Sequence, residues 1–302
     1  MTSELEEDAL QRVVRRLDPG GTLRRAWPLA GGVSAEVTAL EVEGSDGRPT
    51  TLVVRRYGNT DRGRNPHIAR DEFRLLQIAQ SHGLAAPTPY VFDESGELFP
   101  TPSLVIEFVE GETEFAPPDL AGYLAQAAAQ LAKIHRVNDR PELSFLPRRD
   151  RGVGEPPADL DASLNEARIR DALESAWPLS GVNPSVLLHG DYWPGNILWK
   201  DGELAAVVHW EDAGVGDPLA DLANARLEML WAFGVDAMYE FTDQYRSLTT
   251  VNMSNLPYWD LWAALRPSST ISGWGLDAAT EQRMSERHQL FVSRALDELP
   301  SG

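Results

Sequence analysis

Between residues 23 and 109 this chain reads mostly as short strands with one helix among them. From Asp119 onward the apolar spacing turns almost wholly helical. Sheet first and helices second points to an α+β architecture in two parts. Leu5, Ala9, Leu10, Val13, Val14 and Leu17 predict a helix over 4–17, ended by Asp18-Pro19-Gly20-Gly21. Strand-like runs follow at 23–29, 33–42 and 50–57, the last two joined by Gly44-Ser45-Asp46-Gly47 as a hairpin. A helix over 65–83, an extended Pro-rich link at 85–89, a short strand at 90–92 and an apolar strand over 103–109 complete the first part. Beyond it, helices are predicted over 120–135, 164–177, 219–233, 238–248, 259–265 and 278–299, with a strand at 204–208 and a polar, Pro-rich loop over 138–160. The expected domains are a small antiparallel-sheet lobe (1–106), a joining segment (107–111) and a larger helical lobe (112–302).

With 302 residues, 42% of them hydrophobic, the chain can bury a full core. No run approaches 18 apolar residues, so no membrane span is expected, and the acidic start Met1-Thr2-Ser3-Glu4 lacks the order of a signal peptide. The absence of cysteine excludes disulfides, zinc-thiolate sites and thiol nucleophiles, and fits a reducing cytoplasm, the expected location. A net charge of −19 repels polyanions and argues against nucleic acid as a partner. It favours a cationic small molecule where acids line a cleft, and elsewhere it simply keeps the surface soluble.

Chemistry concentrates in Leu187-Leu188-His189-Gly190-Asp191-Tyr192-Trp193-Pro194-Gly195-Asn196-Ile197-Leu198. An acid and an amide stand five positions apart in a loop-like run between apolar ends. That layout suits phosphoryl transfer: Asp191 to orient a hydroxyl and take its proton, Asn196 to hold a metal that bridges nucleotide phosphates. Downstream lies Val208-His209-Trp210-Glu211-Asp212-Ala213-Gly214-Val215-Gly216-Asp217-Pro218-Leu219-Ala220-Asp221-Leu222-Ala223. Together the two segments resemble the aminoglycoside phosphotransferase family, whose pattern runs His-Gly-Asp-x4-Asn, Ile-Asp-Trp, then Gly-Asp-Pro-x2-Asp-Leu-Ala. The resemblance implies a bilobal protein-kinase-like fold and ATP- or GTP-dependent transfer of a phosphate, with Mg2+ or Mn2+, to a hydroxyl of a small molecule. Antibiotic resistance is among the roles it brings with it.

Residue by residue, the resemblance implies Asp191 as the catalytic base, His189 as a brace for its loop, and Asp217 and Asp221 as scaffold acids. It implies Gly31, Gly32 and Ser34 as a phosphate-contacting loop, although Gly-Gly between strands is ordinarily just a turn. Strand alternation sends Arg55 and Arg56 to opposite faces; the resemblance selects Arg55 for the phosphates and pairs it with Glu72. Taken alone, Glu72 lies on a charged helix face and reads as surface. The run Ser103–Val109 resembles the segment that offers backbone groups to a purine, naming Glu107 and Val109.

One position departs. Thirteen residues after Asn196, where the family keeps its main metal-binding aspartate, stands His209. Mg2+ prefers hard oxygen ligands, and neutral imidazole supplies neither the oxygen nor the charge. Two readings follow: an impaired or inactive pseudokinase that still binds a nucleotide or another ligand, and an active enzyme in which Asn196, water and the nucleotide hold the metal or a softer ion such as Mn2+ accepts His209. Glu211 and Asp212 read as neighbouring acids rather than as ligands, because Trp210 and Gly216-Asp217-Pro218 fix the register. Trp231, Phe233, Tyr239, Tyr258, Trp259, Trp262 and Trp274 are expected mainly in the core. An aminoglycoside, a macrolide, an amino alcohol and a metabolic hydroxyl all remain open as acceptor.

Overall fold

The computed structural model describes residues 4–29, 35–149, 152–268, 271 and 274–299. Two compact units emerge, residues 1–110 with 206–211, and residues 111–205 with 212–302. In the first, helix α1 (Glu4–Leu17) precedes a five-stranded sheet of β1 (Thr22–Pro28), β2 (Ala35–Glu43), β3 (Pro49–Tyr57), β4 (Pro89–Asp93) and β5 (Ser103–Glu107). The strand order is β1-β2-β3-β5-β4, and every pairing is antiparallel. One stripe of α1, Ala9, Leu10, Val13 and Val14, packs with Leu40, Val42, Leu52 and Val54, and Leu98, Phe99 and Val105 complete this core. Burying each large side chain of such a stripe contributes ~1.5–3 kcal/mol, so tertiary packing rather than intrinsic propensity holds a helix of this length.

Alternation along β3 sets the charged groups apart. Arg56 ion-pairs with Glu6 of α1 at 2.8 Å, while Arg55, one residue away, pairs with Glu72 of α3 (Ile68–Ser81). The predicted helix over 65–83 begins later and is preceded by another, α2 (Asn59–Arg64), which no apolar stripe announces. Pro66 separates the two: it cannot donate into a continuing ladder and disfavours helical backbone at Asn65. The Asn65 side chain instead accepts the His67 amide at 2.9 Å. Residues 206–211 join this unit through the Val207 amide, which donates to the Ala85 carbonyl at 2.7 Å. Trp210, 1% exposed, closes its indole N–H on the Val207 carbonyl.

The second unit is mainly helical: α4 (Leu120–Ile134), α5 (Glu166–Ala176), α6 (Leu219–Phe233), α7 (Val235–Leu248), α8 (Leu256–Ala264) and α9 (Ala278–Asp297). Asp119 caps α4 by accepting the Gly122 amide at 3.0 Å. Between helices, β6 (Val186–Leu188), β7 (Ile197–Lys200), β8 (Glu203–Val207) and β9 (Gly214–Gly216) are short; β6 pairs with β9, and β7 turns at Asp201-Gly202 into β8. Helix α6 is buried along almost its whole length. Its Arg226 forks onto Asp260 of α8 and donates to Thr242 of α7. Trp231 and Trp259 are buried, Tyr239, Tyr258 and Trp262 pack against the core, and Trp274 stands 46% exposed. Among the described residues, no helix is long and apolar enough to cross a membrane.

Candidate active site

Predicted site residues gather at two places, one in each unit. In the second unit, strand β6 delivers the chain into the His189–Asn196 loop, and three anchors fix its path. Tyr192 is fully buried and donates its hydroxyl to the Ala127 carbonyl of α4 at 2.8 Å. Pro194 opens a single 3-10 turn ending at Asn196. Asp221, at the start of α6 and 2% exposed, accepts the amides of His189 at 2.6 Å and Gly190 at 2.9 Å. Gly190 is obligatory here: its φ is +83°, and an added Cβ would run into the Asp212 carbonyl.

Behind Asp221 lies a relay that sequence reasoning missed. His135, at the end of α4, places Nε2 3.3 Å from Asp221 and Nδ1 2.7 Å from the Tyr245 hydroxyl. A coherent pattern has Tyr245 donating to Nδ1 and Nε2–H donating to Asp221. Burial pushes the Asp221 carboxyl up, but the hydrogen bonds from His135 and from the Gly190 amide hold it below the usual carboxylate range. Asp217 accepts the Asn183 side chain at 3.1 Å and the Leu219 amide at 2.9 Å, at the start of α6. The Asp191 amide donates to His189 Nδ1 at 3.3 Å, so this imidazole faces its own loop.

The Asp191 carboxylate is gripped from two sides. Asn196 Nδ2 donates to its Oδ2 at 2.9 Å and to the Asp191 carbonyl at 2.8 Å. With the amide nitrogen so engaged, Asn196 Oδ1 is the end left to accept or to ligate. On the other side Arg266 donates to Asp191 Oδ1 at 2.8 Å and to the Gly190 carbonyl at 3.0 Å. Nothing in the sequence around Arg266 announces this, because the pairing spans 75 residues. Glu228 of α6 lies in the same field: burial pushes its carboxyl up to about 8, with Arg266 opposing and Asp191 reinforcing the rise.

In the first unit the arrangement centres on Arg55, 5% exposed. Its Nη1 pairs with Glu72 Oε1 and its Nη2 lies 3.0 Å from Glu211 Oε2. Glu72 is not the surface residue its helix face suggests; it is 3% exposed, because α3 lays that face against the sheet and Arg55 supplies the countercharge. Tyr57, two residues along β3, donates to Glu72 Oε2 at 2.7 Å. Glu211, read from sequence as a bystander acid, is the unexpected member. Its Oε1 lies 3.1 Å from Nδ1 of His209, whose backbone is left-handed at φ +64°. Burial pushes Glu72 up, against the pull of Arg55. Burial also opposes ionisation of Glu211, but there Arg55 and His209 win and hold the carboxyl well below its usual range. Glu107, at the end of β5, accepts the Thr88 amide at 3.1 Å and hydroxyl at 2.7 Å; Val109 follows, half-buried. Gly31, Gly32 and Ser34 lie outside the described residues.

The sequence pattern of the phosphotransferase enzyme family matches residues 26–248. The chain belongs to that family. Homoserine kinase of Phenylobacterium zucineum is 25% identical to this family member over 288 residues, 87% of this chain and 84% of that protein. Acyl-CoA dehydrogenase family member 11 of Homo sapiens is 24% identical over 235 residues, which cover 66% of this chain and 30% of that relative; the chain thus spans less than a third of its length. Among solved structures, amicoumacin kinase in complex with AMP-PNP and Ca2+ has a TM-score of 0.64 at 13% identity, covering 95% of this chain and 93% of its own. The shared fold is the protein-kinase-like fold of the aminoglycoside phosphotransferases, with its five-stranded sheet and helical part.

Proposed function

We propose that this phosphotransferase-family chain is a small-molecule O-kinase, using ATP or GTP with a divalent cation to phosphorylate a hydroxyl. The observation that carries the reading is the double grip on Asp191, whose carboxylate is oriented by Asn196 and Arg266 on a loop hung from buried Asp221. A carboxylate so fixed can hold an acceptor hydroxyl in one orientation and receive its proton. The acceptor oxygen then forms its bond to the terminal phosphorus, the bond to the bridging oxygen breaks, and the nucleoside diphosphate leaves. Arg55, kept charged between Glu72 and Glu211, is the phosphate-binding cation of this reading.

Each unit, taken by itself, offers one candidate donor to a divalent cation. Asn196 Oδ1 is a hard oxygen whose orientation is fixed by what Nδ2 already binds. His209 offers nitrogen, which Mg2+ accepts poorly and Mn2+ accepts readily. When bound, such an ion would neutralise phosphate charge. The acceptor class is a hydroxyl-bearing amine, in keeping with the net charge of −19 and with a homoserine kinase among the relatives.

The test is a nucleotide-consumption screen with ATP and GTP, under Mg2+ and Mn2+, against hydroxyl-bearing amines including homoserine, aminoglycosides and amino alcohols. Phosphorylated product that disappears in Asp191→Asn supports the kinase. His209 favours a second reading, nucleotide binding without transfer. Saturable binding with no consumption across the panel would favour that reading, and absence of binding with either cation would defeat both.

A further inference from the structure

Arg55 faces two carboxylates, so with both ionised the trio carries net negative charge before any phosphate arrives. Arg55 is 5% exposed, pairs with Glu72 through Nη1 and with Glu211 through Nη2, and its Nε is buried without a hydrogen-bond partner. The two carboxylates are not equally held. The Glu72 side chain is 2% exposed, belongs to helix α3, and has its second oxygen bound by the Tyr57 hydroxyl at 2.7 Å. The Glu211 side chain is 17% exposed, sits on the short turn Trp210–Asp212, and has its second oxygen against His209, whose side chain is 28% exposed. A third anion drawn to Arg55 is repelled by the pair unless one of them withdraws, and Glu211 is the one with room to leave.

We propose that Glu211 gates Arg55: it occupies the phosphate-binding cation until a divalent ion that accepts both nitrogen and oxygen draws it away with His209, so that metal binding frees Arg55 for the nucleotide. The proposal rests on the nucleotide-binding part of the kinase reading. His209 Nδ1 and Glu211 Oε1 already face each other at 3.1 Å, a separation a shared cation can bridge with small side-chain movement. The left-handed backbone at His209, unusual for a residue with a side chain, is the kind of local strain that persists where it positions a functional group. Imidazole with carboxylate selects Mn2+, Co2+ or Zn2+ over Mg2+. The arrangement therefore turns the replaced aspartate into a coupling device: nucleotide and metal each remove the obstacle to the other, and by linkage the enhancement is reciprocal.

Calorimetric titration of the full chain with AMP-PNP, in EDTA, in Mg2+ and in Mn2+, tests this. Wild type is expected to bind weakly in EDTA and at least ~10-fold more tightly in Mn2+, with a smaller gain in Mg2+. Glu211→Gln keeps the shape and removes the charge. It should bind AMP-PNP in EDTA ~10-fold more tightly than wild type, and Mn2+ should then add less than ~3-fold. His209→Ala should leave binding in EDTA near wild type and abolish the preference for Mn2+. Titration of Mn2+ alone, read by electron paramagnetic resonance, gives a second measure that needs no Glu211 variant: wild type should bind the ion and His209→Ala should not. Glu211→Gln indistinguishable from wild type in EDTA, or Mn2+ binding indifferent to His209, overturns the gate while leaving the kinase reading intact. AMP-PNP failing to bind wild type under every condition overturns both.

Discussion

Replacing Asp221 should unfasten the Asp191 loop, and the cost can be worked from its partners. Its buried carboxylate accepts two backbone amides, His189 at 2.6 Å and Gly190 at 2.9 Å, and a longer hydrogen bond from His135 at 3.3 Å. Asp221→Ala strands all three donors away from water. A buried donor left unpaired costs about 1–3 kcal/mol, and the two short amide bonds carry most of it, so the expected loss is ~3–6 kcal/mol. Asp221→Asn keeps one acceptor oxygen but turns an amide donor toward a donor, and should lose roughly 2–4 kcal/mol by the same reasoning. The assay is equilibrium unfolding in urea near pH 7 by tryptophan fluorescence, with hydrogen exchange at His189 and Gly190 as the local readout. The sign with pH also follows. Asp221 is held below its ordinary value of 3.8, so its contribution is complete above that value and is lost as pH falls through the lower folded one. The gap between wild type and Asp221→Ala should thus stay constant through neutral pH and narrow only in strong acid. A variant within ~1 kcal/mol of wild type, with both loop amides still protected, would refute the account of Asp221 as the loop's anchor.

Four further outcomes are expected. Asp191→Asn should lower kcat by about 100-fold or more while nucleotide affinity, by calorimetry, stays within roughly 2-fold. Gly190→Ala should destabilise the second unit by at least ~2 kcal/mol in urea, since alanine at φ +83° is strained and its Cβ meets the Asp212 carbonyl. Arg226→Met or Asp260→Leu should each cost about 3–5 kcal/mol in the same assay by leaving a buried charge alone, and the double variant should recover much of the loss. His209→Asp should tighten Mg2+-nucleotide binding by about tenfold and erase any advantage of Mn2+; unchanged metal preference would show that position 209 does not choose the ion.

The sheet-then-helix order was readable because each long element carries its own period. Helix α1 shows its stripe Leu10, Val13, Val14 in the sequence and buries it, and β3 shows alternation that parts Arg55 from Arg56. Elements without a local period did not show. Helix α2 is polar throughout, and the three-residue strands β6 and β9 are too short for alternation to register and pair with each other across the chain.

The same division runs through the candidate site. Asp191 and Asn196 were legible because both belong to one loop, and their hydrogen bond closes over five residues. Glu72 was legible only through resemblance, since its own helix face suggests exposure, and burial became tolerable once Arg55 faced it from another element. Arg266 and Glu211 were not legible as partners. An arginine after a helix and an acid beside a tryptophan look like solvated charges until long-range packing brings each against a group that needs it. For Glu211 the missing information lay in Arg55: a single buried guanidinium facing two carboxylates presents net negative charge to a phosphate until one of them withdraws. That conflict exists only between residues 55, 72 and 211 together, so no reading of position 209 alone, as lesion or as adaptation, could have exposed it.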